Sequence, residues 1–342
     1  MVFAIVLLVL LALSVLFNMT QFAGSLLPDT AGHYVQTAGP KLDEIYMEDA
    51  PGSSKIAIIE VEGIISSQMR EQGGFNMVDV IQAEFRRAAN DAHVKAVILK
   101  VDSPGGEVLA SDEISRIIAD FQDRTDKPVI AAMGDLAASG GYYVSAPCRW
   151  IVANELTLTG SIGVIISSYN YRGLMNKVGV QPNVYKSGKF KDMLSPAREP
   201  DSITEEEREM LQTLVNQTYA KFTNVVVTGR MESRDEDLQK QGRSLRHDWA
   251  DYADGRILSG KDAYGIGLVD ELGNFKDAVR RAKKLANITQ ADLVLYQQRY
   301  DLGDLFRLFG KANTGSVKVD LGFEPRKLRS GQLYFLSPLF VQ

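Results

Sequence analysis

The chain has 342 residues, 45% hydrophobic and 24% charged, a globular composition long enough for one large domain or two modest ones. Its formal net charge of −5 argues against nucleic acid as a partner, because a phosphate-binding surface needs a basic excess. A single cysteine, Cys148, excludes an internal disulfide and leaves the redox compartment open.

Residues 2–17 are an apolar run broken only by Ser14, and the first basic residue is Lys41. A bilayer core needs about 20 residues of helix, so residues 1–23 are expected to form a single transmembrane anchor. The rival reading, a cleaved secretory signal, lacks the basic n-region such signals carry. The missing basic flank also removes the usual orientation cue. An export-type segment places the rest of the chain on the extracytoplasmic side of a cell membrane. Residues 24–54, rich in Gly, Pro, Ser, Asp and Thr, read as a flexible tether.

The pattern changes at Lys55. Residues 56–65 read as a strand bent at Gly63, and residues 78–92 have helical spacing with Val78, Ile81, Phe85 and Ala88 on one face. A buried strand over 96–101, a Ser-Pro-Gly-Gly turn at 103–106, a helix over 108–121 and a strand over 128–132 follow. The segment 137–146 fits a Gly-containing helix entry, and 151–153 and 162–166 read as strands. This alternation predicts an α/β fold with a parallel sheet.

The helix expected over 202–229 opens with a Thr204–Glu207 capping box and is stopped by Gly229. Its stripe of Met210, Leu211, Leu214, Val215, Tyr219, Phe222 and Val226 implies core contact or a subunit interface. A helix over 275–286 and a strand over 291–297 complete a domain spanning 55–300. The tail, 301–342, has no assignable fold.

Ser139 lies in Leu-Ala-Ala-Ser-Gly-Gly-Tyr-Tyr at 136–143. Small neighbours let a substrate carbonyl approach a serine entering a helix, and the Gly140 amide would face a developing oxyanion. The structural alternative is an N-cap serine at a tight packing site. Glycine amides after the strand, at Gly106, suit the same oxyanion, although the motif taken alone reads better as a plain Pro-Gly turn joining β to α. No Gly-Lys-Ser/Thr follows, so it is not a phosphate loop.

A base is needed. His33 lies in the tether, His93 at a helix end, and His247 in a polar loop, poor positions for a triad histidine. Lysine works as a base if its neutral form exists near neutral pH. Lys186, Lys189 and Lys191 share one segment, and composition does not choose among them. Cys148 has no histidine near it in sequence and reads as a small buried residue.

Together these pieces resemble the signal peptide peptidase A family in its short, single-unit form. The resemblance rests on Ser-Pro-Gly-Gly at 103–106, Ala-Ala-Ser-Gly-Gly-Tyr-Tyr at 137–143, Thr-Gly-Ser-Ile-Gly at 159–163, Ser-Gly-x-x-Lys-Asp at 187–192 and Gly-Leu-Val-Asp at 267–270. It implies a ClpP/crotonase-like fold of repeated ββα units, with Ser139 as nucleophile, Lys191 as base, Ser161 orienting the lysine amine and Gly106 as an oxyanion glycine. It further implies no metal or organic cofactor and cleaved signal-peptide remnants as substrate. The family's long form is a tandem duplication that draws serine and lysine from different halves. A single unit therefore implies a homo-oligomer in which Lys191 of one subunit completes a neighbour's site. The alternatives are a crotonase-type acyl-CoA enzyme, a non-catalytic membrane scaffold, and a related Ser–Lys peptidase with soluble protein substrates.

Overall fold

A computed structural model describes residues 39–50, 52–68, 75–232, 241–298 and 333–336. Strands Lys55–Glu62 (β2) and Val94–Ser103 (β3) run parallel and are apolar on both faces, as strands in the middle of a covered sheet must be. Side chains alternate across β2. Ala57, Ile59 and Val61 enter one core, and Ile56 and Ile58 enter the other.

Helices Met77–Asn90 (α1) and Val108–Thr125 (α2) cover the first face, contributing Ile81, Phe85, Ile114 and Phe121. Helix Phe275–Leu285 covers the second through Ala278 and Ala282, whose small side chains let it lie close to the strands. Between β3 and α2 lies a short strand, Gly105–Glu107 (β4).

Strand Val129–Ala138 (β5) follows α2 and runs parallel to β3. Its first half pairs with Trp150–Ala153 (β6), and its last three residues pair instead with Leu158–Gly160 (β7). Changing neighbours in this way carries the end of β5 past the edge of β6. Strand Ile257–Ser259 (β9) pairs antiparallel with β7, and Glu271–Leu272 (β10) pairs parallel with β6. On the other flank, Asp292–Gln298 (β11) pairs parallel with β2. The α/β fold with a largely parallel sheet is therefore present.

Several expectations change. Leu42–Glu48 (β1), placed in the tether, is an edge strand antiparallel to Asp292–Gln298. Most of its side chains are exposed, so it is held by backbone pairing and by the Lys55–Glu44 ion pair, which no apolar period reports. The strand expected over 162–166 shrinks to Ile165–Ile166 (β8), because β7 occupies the register beside β5.

After a short helix, Arg172–Lys177 (α4), the long helix, Glu205–Val227 (α5), has the expected capping box. Only the end of its stripe is core: Phe222 and Val226 are fully buried, whereas Leu214 is 44% exposed. Gly229 does not stop the chain, which continues through a wider helical turn, Thr228–Glu232. In the tail, Leu333–Leu336 (β12) forms a strand antiparallel to both β4 and β8. The anchor expected over 1–23 lies outside the described residues, among which no helix is long and apolar enough to cross a membrane.

Candidate active site

The end of β5 delivers Ser139 to the start of a six-residue helix, Gly140–Ser145 (α3). Ser139 is 1% exposed and has φ 55° and ψ −116°, a conformation that side chains adopt only when their surroundings impose it. Two bonds impose it here. The Ser139 amide donates to the Gly160 carbonyl at 2.8 Å, and the Tyr143 amide donates to the Ser139 carbonyl at 2.8 Å. Among the described residues the Ser139 hydroxyl has no hydrogen-bond partner.

The two predicted oxyanion glycines meet at this turn. A Cβ on Gly140 would lie 3.1 Å from the Gly106 amide nitrogen, 3.0 Å from the Gly105 Cα and 2.7 Å from the Ser111 Oγ. Gly106 has its own reason to lack a side chain, since a Cβ there would lie 2.0 Å from the Ile65 carbonyl oxygen. Gly105, which the sequence reading passed over, has φ +96°, and a Cβ would strike the Phe335 carbonyl oxygen at 2.0 Å and the Gly140 amide at 2.5 Å.

Ser103 fixes this turn by donating to the Gly63 carbonyl (2.6 Å) and accepting from the Gly105 amide (3.1 Å). Glu107, also missed, accepts from Ser66 Oγ (3.0 Å) and from the Ser67 amide and hydroxyl (2.9 and 2.5 Å). Burial would raise its pKa, but the Ser67 and Ser66 bonds outweigh that and hold the carboxyl below its ordinary value. The signal available in the sequence was its position directly after the glycine pair.

Ser161 follows β7 as Ser139 follows β5. Ala138 pairs with Gly160, so the two serines are the next residues on adjacent parallel strands. Ser161 is 3% exposed, has φ 50°, and donates its amide to the Arg256 carbonyl at 2.7 Å.

Lys191 is placed differently. It is exposed, in a turn where its amide bonds the Gly188 carbonyl at 3.2 Å, and its amine makes no hydrogen bond or ion pair among the described residues. Its neighbours are committed elsewhere, Lys186 to Asp192 at 2.7 Å and Lys189 to Glu206 at 2.5 Å. One chain therefore gathers Ser139, Gly140, Gly106 and Ser161 but does not bond Lys191 to them. The segment before that turn exposes large apolar side chains: Tyr169, Leu174, Val178 and Tyr185 are 62–97% exposed. His93 and His247 are exposed, and His33 lies outside the described residues. Cys148 is fully buried, and burial raises its thiol pKa well above the ordinary value. No cluster of three or more metal-ligating side chains occurs among the described residues.

Gly-Leu-Val-Asp at 267–270 turns out to be structural. Asp270 forms a fully buried ion pair with Arg230 (2.6 Å) and accepts from the Ile151 amide (2.9 Å).

A mixed α/β fold holding a serine on a strained strand-to-helix turn is that of a serine hydrolase. Residues 122–289 match Peptidase family S49. A putative signal peptide peptidase SppA from Enterococcus faecium is 38% identical over 261 residues, covering 75% of this chain and 71% of that protein. A putative protease from Methanocaldococcus jannaschii is 38% identical over 236 residues, covering 69% and 68%. Protease 4 of Haemophilus influenzae is 35% identical over 242 residues, covering 69% of this chain and 36% of that longer protein. The chain belongs to peptidase family S49 and is a serine peptidase.

Proposed function

We propose that this chain is a membrane-anchored endopeptidase that cleaves extended apolar peptides, signal-peptide remnants among them, on the extracytoplasmic side with a Ser139–Lys191 dyad. The observation that carries the reading is the free Ser139 hydroxyl on its strained turn, with the Gly140 and Gly106 backbones packed against each other beside it. Neutral Lys191 takes the hydroxyl proton as Ser139 Oγ attacks the scissile carbonyl carbon. The Gly140 and Gly106 amides stabilise the oxyanion, and losing one such donor raises the barrier by about 3 kcal/mol. The C–N bond breaks, protonated Lys191 gives its proton to the leaving amine, and water hydrolyses the acyl-serine. Ser161, on the neighbouring strand, holds the amine.

Lys191 comes from a second copy of the chain. Its exposure, and the apolar surface that precedes it, support a homo-oligomer with shared sites. The test is complementation. Ser139→Ala and Lys191→Ala chains, each inactive, are mixed and reassembled. Shared sites restore about a quarter of the wild-type rate, the statistical share of sites receiving both residues. A mixture that stays inactive removes the shared site. Covalent labelling of Ser139 by an acylating reagent separates this reading from an acyl-CoA enzyme, which needs no serine nucleophile.

A further inference from the structure

The strand β12 crosses the front of the site, pairing Phe335 with Gly106 and Leu336 with Gly105. It adds an antiparallel strand to the oxyanion segment, which is how an extended peptide binds a sheet edge. Phe335 is fully buried beneath it. Its ring stacks on Tyr143, with centroids 4.7 Å apart and planes at 25°, and meets Phe222 at 4.7 Å. Tyr143 and Phe222 touch each other edge-on at 4.9 Å. They come from different helices, α3 and α5, and form two walls of one aromatic box.

Tyr143 is not held by packing alone. Its hydroxyl donates to Asp112 Oδ1 at 2.7 Å. Asp112, on the helix that follows β4, is 8% exposed. Its carboxylate also pairs with Arg116 one turn on and lies 3.8 Å from the Lys221 amine, next to Phe222 on α5. One carboxylate thus ties the ring of one wall to the helix that supplies the other.

We infer that Asp112 is a positioning residue for a substrate subsite, the Tyr143–Phe222 box, which takes an aromatic or large apolar side chain from an extended peptide. Phe335 occupies the box in this structure as the substrate's side chain does in the complex. The inference rests on the peptidase reading of the site. Asp112 touches no substrate atom. It acts by holding the Tyr143 ring in the plane that a substrate ring stacks on, in a geometry where aromatic pairs gain beyond their buried area.

The experiment uses the full chain and peptide pairs differing only by Phe or Ala at one position, scanned across the cleavage site. The readout is the Phe/Ala ratio of kcat/KM. At the position that enters the box, Asp112→Ala lowers that ratio by about threefold to tenfold, through KM for the Phe peptide. Asp112→Asn, which still accepts from the hydroxyl, keeps the ratio. Equal losses on both peptides make Asp112 merely structural and overturn the inference. Should Asp112→Ala fail to fold, Tyr143→Phe decides, since it keeps the ring and loses the anchor: a lowered ratio supports the inference and an unchanged one overturns it. Binding of the same peptides to the Ser139→Ala chain reads the subsite without turnover. A missing peptidase activity is thereby told apart from a missing subsite.

Discussion

The Ser139 amide donates to the Gly160 carbonyl at 2.8 Å, and this bond sets the nucleophile candidate and Ser161 side by side on parallel strands. Both serines have positive φ, 55° and 50°. A helix entry that costs backbone strain persists only where neighbouring contacts impose it.

Strain at Ser139 gives a stability prediction opposite in sign to the activity one. Ser139→Gly abolishes hydrolysis but relieves a conformation that costs about 1–3 kcal/mol for a residue with a Cβ. Added glycine freedom in the unfolded chain takes back about 0.5–1 kcal/mol. The variant is therefore expected to be inactive and at least as stable as wild type. Peptide hydrolysis and denaturant unfolding check it, and a clear loss of stability would show that the turn is unstrained.

The glycine pair carries the second prediction. Gly106→Ala drives a Cβ into the Ile65 carbonyl at 2.0 Å, and Gly105→Ala drives one into the Phe335 carbonyl at the same distance from a positive φ. Backbone must move in either case. Each variant should lose hydrolysis and about 2–4 kcal/mol of stability. Gly173→Ala, where a Cβ meets nothing within 4 Å, is the control and should stay within about 0.5 kcal/mol of wild type.

The parallel sheet was legible because β2, β3 and β5 are continuous apolar runs, and α1 and α2 carry clean stripes. Ser139, Gly106 and Gly140 stood out as candidates because small residues at strand ends mark close backbone approach, whereas Ser161 was named only through the family resemblance. Edge pairing was not: β1 is mostly exposed and carries Asp43, Glu44 and Glu48, so nothing in its sequence signals a strand. Neither was β12, four residues whose partners lie more than 160 positions earlier. Asp112 escaped as well, because a carboxylate on a helix reads as solvated until the fold brings Tyr143 to it.

Because β12 fills the strand position beside β4, a peptide entering the groove has to displace it. Phe335→Ala removes the anchoring ring from the box and should lower KM for peptides bearing a Phe at that subsite, with a smaller change for Ala peptides. The same substitution in a purely structural strand would lower the melting temperature and raise KM for both. Steady-state kinetics beside a thermal melt distinguish the two.

The Arg230–Asp270 pair is fully buried on both sides. Burial opposes the charge on Arg230, yet Asp270 keeps its pKa above the ordinary value. Removing one partner leaves an uncompensated charge in the core, so Asp270→Ala is expected to cost about 3–5 kcal/mol. The double change Arg230→Met with Asp270→Leu should cost less than that single change. Urea unfolding of the two variants tests this. Equal costs would mean that the bond from the Ile151 amide, and not the charge pair, is what Asp270 supplies.

The last prediction concerns acid and the segment that carries Lys191. Arg198 joins that segment to α5, bonding Glu207 at 2.5 Å while lying 3.6 Å from Asp192. The Arg198 bond, followed by that from the Thr204 amide, lowers the Glu207 pKa from 4.5 to about 2. A carboxyl whose pKa is depressed by folding contributes stability that is complete above its unfolded pKa and lost as pH falls through the folded one. The window is therefore from 4.5 down to about 2. Wild type and Glu207→Gln should differ in melting temperature at neutral pH, and the gap should close as pH falls through that window. Proteolytic cleavage within residues 186–198 should rise over the same range in wild type. A gap of constant size across the titration would assign the acid sensitivity to another carboxylate.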